Sequence, residues 1–281
     1  MIAFSIWSLH VYWYGIYYFL SFVFAYGFFT FLLKKKIFLS KYPDFHKFLA
    51  SSLEDIFLLG LVGVILWGRI GYVVIYDLAY YLHHPLEIFA FWKWGMSFIG
   101  GILWTVLVYL VFFLKKKLTL KNIFLFFDVL LVPVVFGIML GRIGNYLNQE
   151  LYGIIVPSGF WNMGYVWFSI FNDLNIFHVY PQVDNFLRVN TNFLASFFEG
   201  FLPLCTFLII VSHWFKGKIS IGQISVIFLM WYSWVRFFLE YVRFDSQFEY
   251  VWVFTKSQWF FLSFFVIGIV LMIWRKKRLS Q

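Results

Sequence analysis

The fold is decided by one stretch of the chain, IFLFFDVLLVPVVFGIMLGRIGNYLNQELYG at residues 123–153. Its first part, Ile123 to Leu140, is apolar apart from Asp128 and is long enough to cross the hydrocarbon core of a bilayer. Arg142 then follows between two glycines, ahead of two asparagines, a glutamine and a glutamate. An arginine at mid-depth costs roughly 2.5–3.5 kcal/mol on insertion scales, so it needs a partner or a polar cavity. The stretch therefore predicts a membrane helix that ends in a polar site, with an arginine snorkelling to the interface as the alternative.

The composition of the whole chain agrees with this interpretation. Hydrophobic residues make up 63% and charged residues 12%, and the mean hydropathy of +0.82 excludes an ordinary soluble domain. We predict an all-α integral membrane protein, a single polytopic domain over residues 1–281, with seven transmembrane helices. The seven apolar segments are 11–33, 56–77, 97–114, 123–141, 194–215, 220–239 and 257–274.

Basic residues report the orientation of these helices. They cluster after the first, third, fifth and seventh segments, at 34–47, 115–121, 216–218 and 275–278. The positive-inside rule therefore predicts an N-terminus on the outer side of the membrane and a cytoplasmic C-terminus. The net charge of +9 follows from these clusters, so it does not indicate nucleic acid. The polar segment 144–192 is predicted to form a small extracytoplasmic cap.

The polar end of the opening stretch resembles the signature of the bacterial prolipoprotein diacylglyceryl transferase family, Gly-Arg-x-Gly-Asn-x-x-Asn-x-Glu-x-x-Gly. The matching residues are Gly141, Arg142, Gly144, Asn145, Asn148, Glu150 and Gly153. The resemblance implies a multi-pass protein of the bacterial inner membrane. It also implies transfer of the diacylglyceryl group from phosphatidylglycerol to the lipobox cysteine thiol of prolipoproteins, without a metal or another cofactor.

Two elements nearer the N-terminus extend the resemblance. Trp13-Tyr14-Gly15 resembles a family element, which implies an active role for Tyr14, whereas an aromatic belt anchor is the plainer interpretation. The run around Ser97 resembles the family's Gly-Met-Ser-Phe-His-Gly-Gly, and Ser97 is expected to contact substrate. Ile99 stands where the family has a histidine held to be important for catalysis, so the proton acceptor must lie elsewhere or be lost.

A second departure precedes the fifth apolar segment. Residues 189–195 replace a family His-Pro-Ser-Gln-x-Tyr-Glu element, so that Ala195 stands where the family has a carboxylate. Glu199-Gly200 matches a later glutamate and glycine of the family.

The sixth segment ends with Arg236, Glu240 and Arg243, spaced so that they share one face of a helix. Glu240 can hold both arginines in a structural ion-pair stripe, and the spacing also resembles a family element. Arg69 lies at 68–71 in a second copy of the sequence Gly-Arg-Ile-Gly, which also occurs at 141–144. A structural role and a role at a lipid headgroup are both open for Arg69.

Arg69, Arg142 and Arg236 are predicted to converge on an anionic headgroup at the outer leaflet, because guanidinium forks match phosphate oxygens. The predicted catalytic residues are Arg142, Arg236, Glu150, Glu240 and Tyr14. The predicted substrate-binding residues are Arg142, Asn145, Asn148, Gly153, Arg69, Ser97 and Arg243. Two alternatives remain at this point, a weakened homologue that binds lipid or lipoprotein without turnover, and a small-anion transporter.

Overall fold

A computed structural model describes residues 2–6, 9–89, 98–156, 170–215, 220–244 and 250–279. The helices are α1 Trp13–Lys34, α2 Pro43–Tyr76, α3 Leu78–His83, α4 Phe98–Lys115, α5 Leu120–Leu147, α6 Thr191–Ala195, α7 Leu202–Phe215, α8 Gln223–Val242 and α9 Lys256–Leu279. A 3-10 turn covers Pro85–Phe89, and a π-helical turn, Ser196–Phe201, joins α6 to α7. Three antiparallel pairs are formed by β1 Ile2–Ile6 with β2 Leu9–Tyr12, β3 Phe177–Val179 with β4 Leu187–Val189, and β5 Tyr250–Val251 with β6 Phe254–Thr255.

Five helices in the described part of the chain are long and apolar enough to cross a membrane. They cover Gly15–Lys34, Pro43–Val74, Leu120–Leu147, Thr191–Ile210 and Lys256–Lys277. Their outer faces carry large apolar side chains, such as Phe19, which is 67% exposed, and such faces suit lipid better than water. The chain is therefore a mostly helical, multi-pass membrane protein.

The second helix is longer than its apolar segment predicts. It begins at Pro43 rather than near residue 56 and contains 34 residues, which corresponds to about 51 Å. Proline at the first helical positions and Asp44 in the first turn both favour this start. Phe45 and Leu49 are buried, so the extension is packed although it lies before the apolar run.

The chain divides into two compact units. One consists of residues 26–123, where α2 packs along α4 and the Tyr109 hydroxyl donates to the Ile56 carbonyl at 3.0 Å. The other consists of residues 1–25 and 124–281, where α8 packs along α9. In this larger unit the middle of α1 lies against α5, with the rings of Phe24 and Phe136 4.1 Å apart.

A buried carboxylate joins α5 to the N-terminus of α8. Asp128 accepts hydrogen bonds from the backbone N–H of Gly222, and from the N–H and hydroxyl of Ser225 at 2.8 and 2.7 Å. Backbone N–H groups at a helix start lack partners within the helix, so a carboxylate from a neighbouring helix stabilises that end. Arg275 of α9 donates to the Ile221 carbonyl beside it at 3.0 Å. These hydrogen bonds tie the N-terminal end of α8 to α5.

Candidate active site

Charged side chains from three segments form a continuous series, which we call the arginine–glutamate chain. Its members are Arg142, Glu199, Arg236, Glu240 and Arg243. Arg142 Nη2 lies 3.3 Å from Glu199 Oε2, and Arg236 Nη1 lies 3.5 Å from Glu199 Oε1. Glu240 Oε2 lies 3.7 Å from Arg236 Nη2 and 3.6 Å from Arg243 Nη1. Glu240 thus contacts both arginines of its own helix face, as the sequence spacing predicts.

Local backbone structure turns Glu199 toward the arginines. The residue lies in the π-helical turn, and its side chain is fully buried. A Cβ on the next residue, Gly200, would lie 2.6 Å from the Cβ of Met139, so only glycine allows this turn to approach α5 so closely. Single π-helical turns are frequent at functional sites. Here the turn brings the carboxylate next to Arg142.

The arginine–glutamate chain has a surplus of positive charge, because it contains three guanidinium groups and two carboxylates. Its contacts of 3.3–3.7 Å are longer than the roughly 2.7–2.9 Å of a strong charge-assisted bond. Arg236 Nε is buried without a hydrogen-bond partner among the described residues. The side chains of Arg142 and Arg243 keep 13% and 15% of their surface exposed. Such an arrangement can accept an anion.

The loop after α5 is held by the polar residues of the signature. Asn145 donates to Glu150 Oε1 at 2.7 Å, and Asn148 donates to the same oxygen at 3.4 Å. The loop turns tightly, because Gln149 and Leu151 both adopt a left-handed backbone with φ of 54°. The carboxylate of Glu150 is thus fixed by neutral amides, whereas Glu199 and Glu240 are paired with arginines.

The last glycine of the signature explains how the loop meets α8. Gly153 pairs with Arg243 in the backbone, and its N–H donates to the Val189 carbonyl at 3.1 Å. A Cβ on Gly153 would lie 2.8 Å from the Val242 carbonyl oxygen and closer still to that of Val189. Gly153 is therefore required by the close approach of two other backbone segments, which hold Arg243 beside the signature loop.

Arg188 of β4 also stabilises the segment around Gly153. Its guanidinium lies 4.9 Å from the ring of Tyr152 and 5.0 Å from that of Phe244, and it donates to the Gly153 carbonyl at 3.0 Å. It also pairs with Asp184, and this hydrogen bond holds the pKa of the Asp184 carboxyl below its usual range. Segment 152–156, the β3–β4 pair and the end of α8 therefore form one ordered layer.

Other predicted site residues lie outside this layer or outside the described structure. Arg69 belongs to the smaller unit, where it is fully buried and donates to the carbonyls of Glu87 and Ile88 at 2.9 and 3.2 Å. Its guanidinium also lies 5.2 Å from the ring of Tyr81. The backbone of Tyr14 belongs to the first turn of α1 and that of Ile99 to the first turn of α4. The side chains of these two residues, and all of Ser97, lie outside the described structure.

The sequence prediction of the site missed Glu199. The signal was available, because Glu199 is the one charged residue between Phe193 and Phe215. A carboxylate within an apolar membrane segment is costly and so indicates a buried partner. Its pairing with Arg142, however, spans 57 positions of sequence and depends on the π-helical turn.

Comparison with known proteins identifies the family of this chain. A family model described as prolipoprotein diacylglyceryl transferase matches residues 1–274. A relative from Ehrlichia canis (strain Jake), named phosphatidylglycerol–prolipoprotein diacylglyceryl transferase, is 34% identical over 89% of this chain and 85% of its own length. Proteins of the same name from Wolbachia sp. subsp. Drosophila simulans (strain wRi) and Bordetella avium (strain 197N) are each 32% identical. The first aligns over 96% of this chain and 92% of its own length, and the second over 100% and 96%. This chain, with its signature loop and its arginine–glutamate chain, belongs to the prolipoprotein diacylglyceryl transferase family.

Proposed function

We propose that this protein transfers the diacylglyceryl group of phosphatidylglycerol to the lipobox cysteine thiol of prolipoproteins, and so forms a thioether. The observation that carries this proposal is the surplus of one guanidinium group in the arginine–glutamate chain of a protein that belongs to the family. Relatives with the transferase name align with most of its length. Their name favours turnover over the two alternatives, a lipid-binding homologue and an anion transporter.

The proposed reaction needs positive charge near the leaving group, and the arginine–glutamate chain can supply it. The thiol loses its proton, and the sulfur then attacks the diacylglycerol carbon that bears the phosphate. A C–S bond forms as the C–O bond breaks, and the electron pair leaves on the phosphate oxygen of glycerol phosphate. Charge grows on that oxygen, so a site with preorganised guanidinium donors favours the transition state over the bound lipid. We assign this task to Arg142 and Arg236, with Arg243 as a further phosphate contact.

The remaining predicted residues take supporting roles in this proposal. Asn145, Asn148 and Gly153 shape the substrate-facing loop, and Glu150 and Glu240 orient the groups around the phosphate. Tyr14 stays a prediction of a catalytic residue and Ser97 one of substrate contact, both from the family resemblance. Arg69 stays a prediction of substrate contact from the expected convergence of the arginines.

The proposed arrangement in the membrane has seven spans in a single domain, with the N-terminus outside and the C-terminus in the cytoplasm of a bacterial inner membrane. The basic clusters at 34–47, 115–121, 216–218 and 275–278 support it. The ordered layer around Gly153 then belongs to an extracytoplasmic cap over residues 144–192. Accessibility tags at 35, 116, 217 and 278 should report cytoplasm, and tags near 85, 175 and 247 the outside. One reproducible inversion would contradict the cap.

The activity is tested with purified protein, phosphatidylglycerol vesicles and a lipobox peptide, by mass detection of the thioether product. The native protein should form the product, and Ile99→His should form it too. Product from Ile99→His alone, with none from the native protein, would identify a homologue that binds without turnover. Absence of product from both would refute the proposed transfer.

A further inference from the structure

One histidine packs against the signature helix and has no role so far. His178 of β3 lies beside Tyr146, whose hydroxyl oxygen is 3.2 Å from Nε2 and 3.4 Å from Nδ1 of the imidazole. Tyr180 packs against an adjacent side of the imidazole, with ring centroids 5.0 Å apart. The Tyr180 hydroxyl is itself fixed by donation to Asn190 Oδ1 at 3.1 Å. The imidazole is therefore held in one place although it stays half-buried.

This histidine lies at the same end of α5 as Arg142. Residues 142 and 146 are four apart on α5, so their side chains project from one face, about 6 Å apart along the axis. Tyr146 thus contacts His178 of the β3–β4 pair and lies on the same face of α5 as Arg142. Tyr146 occupies a variable position of the signature, so the motif itself does not point to it.

The surroundings of His178 suit a proton acceptor. The titratable and charged groups beside it are Tyr146 of α5, Tyr180 just after its own strand, and Arg188, its partner across the β3–β4 pair. Burial lowers the pKa of His178 below its usual range, so its imidazole is mainly neutral at pH 7. Burial also raises the pKa of Tyr180 to about 12, so this neighbour stays protonated.

The carboxylates of the site are poorer acceptors. Glu199 and Glu240 each contact two arginines, so their carboxylate oxygens are already engaged. Glu150 accepts hydrogen bonds from Asn145 and Asn148. Carboxylates in general, with an ordinary pKa of about 4, are weaker bases than an imidazole toward a thiol, whose ordinary pKa is about 8.5.

We propose that His178 is the general base of the transfer and that Tyr146 is the residue that positions it. The imidazole accepts the proton of the lipobox thiol, the sulfur attacks the lipid carbon, and the C–O electron pair leaves with glycerol phosphate. The imidazolium then returns its proton to the departing phosphate or to water. This inference rests on the proposed function, since it names the base of that reaction.

The test compares native protein with His178→Gln across pH, in the thioether assay with phosphatidylglycerol vesicles and a lipobox peptide. At pH 7 only a few per cent of a free thiol is ionised, so the variant should be slower by about 10–30-fold. Between pH 6.5 and 8 the native rate should change little, whereas the rate of the variant should rise about tenfold per pH unit as the thiol itself ionises. At pH 9 the two rates should converge to within about threefold.

A selenocysteine peptide separates proton transfer from folding. Its selenol is already ionised near neutral pH, so a base is not needed, and His178→Gln should approach the native rate with this substrate. Tyr146→Phe keeps the ring but loses the hydroxyl, and it should slow the cysteine reaction several-fold while keeping the native pH profile. His84→Gln, a histidine of the smaller unit that packs on Tyr80, is the matched control and should match the native rate.

The outcomes are distinct. Equal rates of native protein and His178→Gln at pH 7 would overturn the inference and leave the proposed function standing. An equal defect with both peptides at every pH would also overturn it, because that pattern is structural. Absence of product from the native protein would instead refute the proposed function.

Discussion

Two buried polar clusters lie on α5, and they differ in how their charge is balanced. At one end a single carboxylate, Asp128, accepts three hydrogen bonds from Gly222 and Ser225. At the other end, about 21 Å along the helix, Arg142 opens the arginine–glutamate chain, whose contacts are long and whose charge is not balanced. The first cluster is complete without a ligand and fixes helix packing. The second contains one more guanidinium group than carboxylates among its described members, and in the proposed function this surplus meets the phosphate of the lipid.

The largest effect is expected when the shared carboxylate of the second cluster is removed. Glu199→Gln leaves Arg142 and Arg236 buried without their common counter-ion. Breaking a buried pair in this way costs about 3–5 kcal/mol, so the melting temperature in detergent should fall strongly and activity with it. Glu240→Gln, whose contacts are longer, should lower the melting temperature less. Equal melting temperatures for Glu199→Gln and native protein would contradict the role of Glu199.

The next effect is on the reaction rather than on stability. Arg142→Ala and Arg236→Ala should each lower thioether formation by about 10²–10³-fold, as expected when a donor to the developing charge is lost. Arg142→Lys keeps the charge but not the planar fork, so it should also be strongly impaired while still inserting in the membrane. Lys256→Ala is the control for net charge, because this lysine is exposed at the start of α9. Near-normal activity of both alanine variants would exclude the phosphate role.

A smaller effect, on stability alone, is expected at the balanced cluster. Asp128→Asn weakens an acceptor of three bonds and should cost about 1–3 kcal/mol of unfolding free energy. Ser225→Ala removes only the hydroxyl bond and should cost less. Activity per folded molecule should stay native in both variants, as measured in the thioether assay after removal of aggregates. A selective loss of turnover would show that the two clusters are not separate in function.

The smallest effect is expected at the pair of Asp184, whose side chain is partly exposed, and the buried Arg188. The pKa of Asp184 is lowered in the folded protein, so the stabilisation is present above the usual carboxyl pKa of about 3.9 and is lost as pH falls through the folded value. Hydrogen exchange in the β3–β4 pair should therefore accelerate only in strong acid. Asp184→Asn should remove this acid dependence, and its persistence in the variant would assign it to another group.

Residue patterns predicted the helices well where burial in lipid alone decides the structure. Each of the seven apolar segments falls largely within helical structure, because an uncharged run of this length has no better way to satisfy its backbone in a bilayer. The predicted start of the second helix, near residue 56, was wrong. Its first turns are set by Pro43 and by the packing of Phe45 rather than by hydropathy.

Within the site, the contact of Glu240 with Arg236 and Arg243 follows from spacing on one helix, so it was predictable. The contact between Glu199 and Arg142 was not, because it joins different helices through a local change of helical type. Arg69 also shows that a short motif does not determine the partners of its residues. Arg69 and Arg142 both lie in the sequence Gly-Arg-Ile-Gly, yet Arg69 donates hydrogen bonds to the carbonyls of Glu87 and Ile88.

The sequence by itself determined that this chain spans a membrane, which family it belongs to, and that its polar residues gather after Leu140. These properties depend on composition and on short motifs, which act locally along the chain. Only the tertiary structure decided which carboxylate balances which arginine, why Gly153 must be a glycine, and that His178 lies against Tyr146. Those relations join residues that are distant in sequence, and their energies depend on distance and burial, which no local pattern encodes.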